Sequence, residues 1–353
     1  MEKNLSEDSI ITKLQQAINC NKSDKSSYIK LANLLIKNND YFSAQKVFEE
    51  YLKIFPDDTE AITNLGSICF YKKDYLNAIN YFKRAININP DDFVVYYNLG
   101  NVYAEINSFE QAIAYYKKAL QLNENSAEVY NAISRLYVEA DDLENALNFS
   151  KKAISFDSGV SDYYINYAEI LQKFGKYKDA LENYKKADLL DGNNAKIALA
   201  TAILYMQTKE FNKALEYFDK ALDIDTGYYS AYVCKAIAYL EKNMTHEATI
   251  LLKQAIDIAP QKQEAYLSLS GILISEKRYE EALDVYKILA KITGNNSRVL
   301  ILTGNAYALA DDMEKAISCY KKAATISPAD NEIKLIYLEA INSFVNKKMG
   351  VGK

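Results

Sequence analysis

Along the chain, large apolar or aromatic residues and small ones recur at helical spacings, and the whole pattern returns every 34 residues. The prolines mark the ruler. Pro56, Pro90, Pro260 and Pro328 are the only four, and their separations are 34, 170 and 68, each a multiple of 34. With Pro90 set at position 32, units begin at Lys25, Thr59, Phe93, Ala127, Ser161, Ala195, Tyr229, Gln263 and Ser297. The ninth ends at Asp330, with no insertion or deletion.

The columns have physical meanings. Position 20 is alanine in all nine units, from Ala44 to Ala316. Position 8 is always small: Ala32, Gly66, Gly100, Ser134, Ala168, Ala202, Ala236, Ser270 and Gly304. Position 27 is alanine except at Tyr51 and Leu289, and positions 4, 11, 17 and 24 are mostly large. Positions 4, 7, 8 and 11 share one helix face, as do 20, 24 and 27. Each unit therefore predicts two amphipathic helices, at roughly positions 1–14 and 17–30, joined by a short turn. Small residues at 8 and 20 let the two backbones approach, and the large ones fill the space around that contact. In "ININPDD", residues 86–92, Pro90 stops one helix and Asp91-Asp92 start the next.

Residues 96–125, "YYNLGNVYAEINSFEQAIAYYKKALQLNEN", resemble a tetratricopeptide repeat. The unit 59–92 also carries the pattern, as Leu65-Gly66, Tyr75, Ala78, Phe82, Ala85 and Pro90, with Ile62 where the family has Trp. The resemblance covers residues 25–330. It implies an all-α, right-handed α-solenoid of nine helix-turn-helix repeats: 25–58, 59–92, 93–126, 127–160, 161–194, 195–228, 229–262, 263–296 and 297–330. Ile10, Leu14 and Ala17 fit the second-helix positions of an incomplete unit, so 1–24 is expected to hold a capping half-repeat. Tyr337, Leu338 and Ile341 fit a lone first helix, so 331–353 is expected to hold a C-terminal cap and a short tail. Glu332, Lys334, Glu339 and Asn342 are expected to make its outer face polar. A capped solenoid of this length is expected to leave no room for a separate catalytic domain.

Composition narrows the function. A net charge of −5 disfavours nucleic acid as the main partner. Cys20, Cys69, Cys234 and Cys319 are far apart and form no CxxC pair, which fits a reducing compartment. The acids in MEKNLSEDSIITKLQQAI interrupt the apolar run a signal peptide needs, and no apolar run is long enough for a transmembrane segment. The expected location is the cytoplasm. The lone histidine, His246, sits beside a helix turn without partners for catalysis, and no nucleotide, hydrolase or zinc motif occurs. Asp57-Asp58 and Asp91-Asp92 precede helices, and Asp141-Asp142 and Asp311-Asp312 fall in turns, so they read as caps and turn residues. Of the 30 tyrosines, 19 occupy packing positions 4, 11, 17 or 24. Paired bases near position 25, such as Lys117-Lys118 and Lys151-Lys152, read as a solvated outer face. No enzyme activity, cofactor or metal is expected.

The resemblance places the partner on the first helices, whose positions 2, 5, 6, 9, 12 and 13 line the family's concave surface. The early units carry amides there: Asn33, Asn64, Asn98, Asn101, Asn131 and Asn166, with Asn305 in the last unit. An amide offers both a donor and an acceptor, so such a row resembles the asparagine ladder of long superhelical repeat domains, which pairs with a peptide backbone. The later units instead carry Ile203, Val233, Ile237, Leu267, Ile274, Ile301 and Leu302, suited to an apolar anchor, an amphipathic helix or a dimer contact. Family members that clamp chaperone C-termini use lysines where Ile29 and Val94 stand here. Starting from the fourth unit, Arg135, Asn166 and Lys196 form a candidate anion pocket, with Asn131 and Ala200 off the clamp pattern. The leading expectation is a non-catalytic scaffold that binds a protein or peptide. The alternatives are a structural subunit, including a homo-oligomer, and the recognition subunit of an enzyme system such as a glycosyltransferase on a separate chain. An RNA-binding helical repeat ranks behind these.

Overall fold

The computed structural model describes residues 7–294 and 296–349, so the ends of the two expected caps, 1–6 and 350–353, lie outside the described residues. Every described element is an α-helix. The first, α1 (Glu7–Cys20), is the expected lone helix. The repeats' first helices are α2 (Lys25–Lys37), α4 (Thr59–Tyr71), α6 (Phe93–Glu105), α8 (Ala127–Glu139), α10 (Ser161–Lys173), α12 (Ala195–Gln207), α14 (Tyr229–Glu241), α16 (Gln263–Ser275) and α18 (Ser297–Leu309). All nine run from position 1 to position 13, one residue shorter than the sequence pattern implies. The second helices are α3 (Tyr41–Ile54), α5 (Tyr75–Ile88), α7 (Phe109–Leu122), α9 (Leu143–Phe156), α11 (Tyr177–Leu190), α13 (Phe211–Ile224), α15 (Thr245–Ile258), α17 (Tyr279–Thr293) and α19 (Met313–Ile326). They start at position 17 and end at 30, except that α17 runs one residue further. The last helix, α20, spans Asn331–Met349.

The chain is a solenoid of helical repeats that divides into two compact units, Met1–Asn183 and Tyr184–Lys353, with the division inside α11. In the first unit α3 and α5 pack on α4 and α6 of the following repeats as well as on their own partners, and in the second α13, α15 and α17 do the same with α14, α16 and α18. The alanines at position 20 are all fully buried, and so are Ala32, Ser134, Ala168, Ala202 and Ala236 at position 8. Where position 8 is glycine, the ring at position 24 lies directly over it. A Cβ on Gly66 would stand 2.6 Å from Phe82, and one on Gly100 or Gly304 would stand 2.5 Å from Tyr116 or Tyr320.

The turn between the two helices is the same in every repeat. Position 15 takes a left-handed backbone in all nine, as Asn39, Lys73, Asn107, Asp141, Gly175, Lys209, Asn243, Lys277 and Asp311. The next residue's N–H then reaches back to the carbonyl of position 11, as in Asp40 to Leu35 at 2.9 Å and Asp74 to Cys69 at 2.8 Å. That bond satisfies a carbonyl the helix end would leave bare. The paired acids divide the work. Asp141 and Asp311 carry the left-handed backbone, while the carboxylates of Asp142 and Asp312 accept from Asn145 N and Lys315 N, both at 3.1 Å. Asp58 and Asp92 accept from Ala61 N and Val94 N at the starts of α4 and α6.

The end of the chain departs from expectation. Glu332, Lys334, Glu339 and Asn342 of α20 are exposed as expected, but they share that surface with Leu335, Leu338 and Val345. Leu338 stands at position 8, which every complete repeat fills with a small residue against its own second helix. With no second helix following α20 among the described residues, the leucine is 54% exposed.

Two glycine substitutions should move stability in opposite directions. Gly100→Ala drives a methyl into the buried Tyr116 ring and should cost about 1–3 kcal/mol. Gly271→Ala has open space around it in the interior of α16 and should gain roughly 0.5–1 kcal/mol. Thermal melts followed by circular dichroism should show a lower midpoint for the first and a higher one for the second.

Candidate functional site

In the first unit, an open cavity of about 730 Å³ lies along α6, α8 and the start of α10. Tyr97, Asn101, Ala104 and Glu105 line it from α6, and Glu128, Asn131, Ala132, Arg135 and Glu139 from α8. Asp162 and Tyr163 close it from α10, and Phe70 borders it from α4. Apart from Tyr163, these residues occupy positions 2, 5, 6, 9, 12 and 13, the columns expected to face a partner; Leu136 at position 10, Asn107 in the turn after α6 and Val160 before α10 also line the cavity. One residue comes from a second helix: Tyr116, at position 24 of α7, also borders the cavity.

The amides do not behave as one row. Asn33 is exposed, Asn64 and Asn98 are half-buried, and none of these three lines the cavity. Asn101 and Asn131 do. The oxygen of each is already engaged. Tyr116 OH donates to Asn101 Oδ1 at 2.7 Å, and Asn166 Nδ2 donates to Asn131 Oδ1 at 2.8 Å. What they offer the groove is therefore their N–H groups, which suit carbonyl acceptors.

Asn166 is a correction to the expected row. Only 7% of it is exposed, and its amide also donates to Ser134 Oγ at 3.1 Å, which in turn donates to the Ala146 carbonyl at 2.8 Å. The cause lies in repeat 4. Its position 24 is Ser150, where the other repeats carry Phe, Tyr or Leu, and its position 8 is Ser134. With no large side chain at position 24, the amide of the next repeat is held by polar partners in this layer. The Ser150 hydroxyl is buried and has no hydrogen-bond partner among the described residues.

Arg135 is exposed and lines the cavity. Glu169, at position 9 of α10, is reachable by water but surrounded by protein, and that burial raises its carboxyl above the ordinary range against the pull of Arg135 and Lys173. The expected anion trio loses a member, because the Asn166 amide is spent inside the fold. Lys196 belongs to the second unit, exposed in the first turn of α12.

Four carboxylates line the cavity (Glu105, Glu128, Glu139 and Asp162) against the one guanidinium. Tyr163, almost fully buried, has its hydroxyl pushed up to about 12, first by burial and then by Glu128, Asp157 and Asp162 nearby. Columns 2 and 13 carried this signal in the sequence, but only the amides and apolar residues stand out when the columns are read singly.

The second unit has a smaller cavity of about 440 Å³, lined by Ile203, Met206, Gln207, Lys209, Phe211, Cys234, Ile237 and Glu241. Of the expected apolar set, Ile203 and Ile237 line it. Val233 is buried, and Leu267, Ile274 and Leu302 pack against the core, so packing takes much of that row. Ile301 is half-buried. Asn305 is exposed and accepts from Tyr320 OH at 2.7 Å, repeating the Tyr116–Asn101 bond. Among the described residues no cluster of three His, Cys, Asp or Glu could hold a metal, and no helix is long and apolar enough to cross a membrane.

The buried network gives a stability test. Asn166→Ala strips Asn131 and Ser134 of a donor and should cost about 1–3 kcal/mol. Asn33→Ala, on the exposed surface, should stay within roughly 0.5 kcal/mol of the parent. Urea unfolding of both variants beside the parent distinguishes a structural amide from a surface one.

Tetratricopeptide repeat models match residues 26–58, 57–125, 95–159, 171–233, 239–306 and 297–330. No curated protein matches the chain. Among solved structures, the human IFIT1 dimer with PPP-AAAA is 17% identical over 90% of this chain and 78% of its own, with a TM-score of 0.57, a likeness of fold. YrrB, described as "a TPR protein with an unusual peptide-binding site", is 26% identical over 53% of this chain and 96% of its own, with a TM-score of 0.44. The pilF protein of Pseudomonas aeruginosa is 21% identical over 62% of this chain and 98% of its own, with a TM-score of 0.49. The repeat-length register, the helix pairs and the matched family models together make this chain a member of the tetratricopeptide repeat family.

Proposed function

We propose that the chain is a non-catalytic interaction scaffold that holds an extended segment of a partner protein in the groove of repeats 3 to 5. The observation that carries this reading is the 730 Å³ cavity formed mainly by the columns that packing leaves over, with amide N–H groups of Asn101 and Asn131 in its lining. An extended peptide presents a regular row of carbonyls, and donors spaced along two neighbouring helices can meet them whatever the side chains are. The aromatic rings of Phe70 and Tyr97 add apolar surface for side chains of the segment.

Random dodecapeptides displayed on phage and selected on the full chain test this directly. The selected peptides should bind Ala132→Phe at least about tenfold more weakly, because the added ring fills the groove while the helix keeps its backbone. Unchanged affinity for that variant, with an unchanged circular dichroism spectrum, overturns the groove as the binding site.

A second reading, assembly of copies or of a larger complex, is favoured by the end of the chain. Leu335 and Leu338 are 56% and 54% exposed on α20, among exposed polar and charged residues and Val345. If this face joins copies, light scattering should give a mass above 40.0 kDa for the parent and 40.0 kDa for Leu335→Lys with Leu338→Lys. A parent that is monomeric at all concentrations removes self-association from the account.

A further inference from the structure

We propose that the groove of repeats 3 to 5 selects segments carrying lysine or arginine side chains, which it holds between two acidic rims. This rests on the peptide-groove reading and names the chemistry of the occupant. Glu128 and Asp162 occupy position 2 of α8 and α10, and Glu105 and Glu139 occupy position 13 of α6 and α8, so α8 carries a carboxylate at each end. Along α8 the two rims are roughly 16 Å apart at 1.5 Å per residue. Between them lie Tyr97, Asn101, Asn131, Ala132 and the exposed Arg135, whose single positive charge the four carboxylates outnumber.

The two rims differ in what explains them. Acids in the first turn of a helix are stabilised by its dipole, and Glu128 also accepts from Ser126 Oγ at 2.9 Å. Folding thus accounts for Glu128 and Asp162. It does not account for Glu105 and Glu139. Both are the last residues of their helices, where the dipole disfavours negative charge. Neither forms an ion pair or a hydrogen bond among the described residues. Arg135 stands one turn before Glu139, in the weaker of the two orders for such a pair, and does not close a salt bridge with it. Nor does the repeat require an acid at position 13, which elsewhere is Lys37, Tyr71, Lys173, Gln207, Glu241, Ser275 and Leu309. Two successive acids occur there only where the cavity is. Both carboxylates are exposed, so a cation brought by a partner can reach them, and the rings of Tyr97 and Phe70 offer it an aromatic face. In an extended segment, two basic side chains about five residues apart reach both rims.

The test is fluorescence anisotropy with a labelled dodecapeptide of serine and alanine that carries two arginines five residues apart, beside one with glutamates in their place. The full chain should bind the arginine peptide and not the glutamate one, with binding that weakens several-fold between low and moderate salt. Glu105→Lys, Glu139→Lys and Asp162→Lys together should weaken it roughly tenfold or more. Glu216→Lys, Asp223→Lys and Asp257→Lys, which make the same change in net charge on exposed helix surfaces of the second unit, should leave it within about twofold. Failure of the arginine peptide to bind, equal binding of the glutamate peptide, or equal loss in both triple variants overturns the proposal. If phage-selected peptides are displaced by Ala132→Phe yet carry no basic residues, the charge selection falls and the groove stands. If Ala132→Phe displaces none of them, the groove reading itself falls.

Discussion

Everything in this fold follows from how closely the two helices of a repeat approach. The contact is set by a small residue at position 8 and an alanine at position 20, both buried, with the side chain at position 24 laid across them. Where the ring lies over glycine, no atom can be added without moving buried aromatic carbon. Close approach of backbones brings many atoms into contact at once, each weak and together decisive. The same geometry then fixes which face of the first helix remains, because positions 4, 7, 8 and 11 are consumed by packing. The surface left over is where a partner can be met.

The turn makes the repeat length rigid. A left-handed residue at position 15 and the bond from position 16 back to position 11 reverse the chain in three residues. Five of the nine left-handed residues are Asn or Asp, which tolerate this backbone better than other side chains, and only Gly175 is free of strain from a Cβ. Three are lysine, so the surrounding bonds, not the residue, dictate the conformation. An inserted residue here would break the bond to position 11. This is a physical reason for a 34-residue register that holds without a gap across nine units.

The architecture was legible because packing repeats. Ala at position 20 in nine copies and proline at position 32 in four located both helices of all nine repeats to within a residue, and the paired aspartates were read correctly as caps and turn residues. The left-handed turn was not legible, since lysine, asparagine, aspartate and glycine at one column share no chemical signature. The candidate site was legible as a set of columns but not residue by residue. Asn166 looked like its neighbours Asn64 and Asn98, but it turns inward onto Asn131 and Ser134, in the layer where position 24 is Ser150 and not a large side chain. Asn101 and Asn305 lose their oxygens to tyrosines at position 24, fifteen residues on in sequence, a coupling that one column read alone does not show. The outer face of α20 was expected to be polar because cap residues were counted, while Leu338 was read as a packing residue and Leu335 was not weighed.

These departures sharpen what can count as a functional residue in a repeat protein. A column that faces the groove is not thereby free, because a neighbouring repeat or the repeat's own second helix can claim it. Asn101, Asn131, Asn166 and Asn305 are each claimed in whole or in part. Charge is a stricter test than polarity, because a helix end assigns a sign to the residues that suit it. By that test Glu128 and Asp162 are explained by the helices they start, and Glu105 and Glu139 are opposed by the helices they end. A residue that works against its own helix and has no partner within the fold is not accounted for by folding, and here two of them border the same cavity. Both are exposed and solvated without a partner, so what singles them out is that they share one cavity edge.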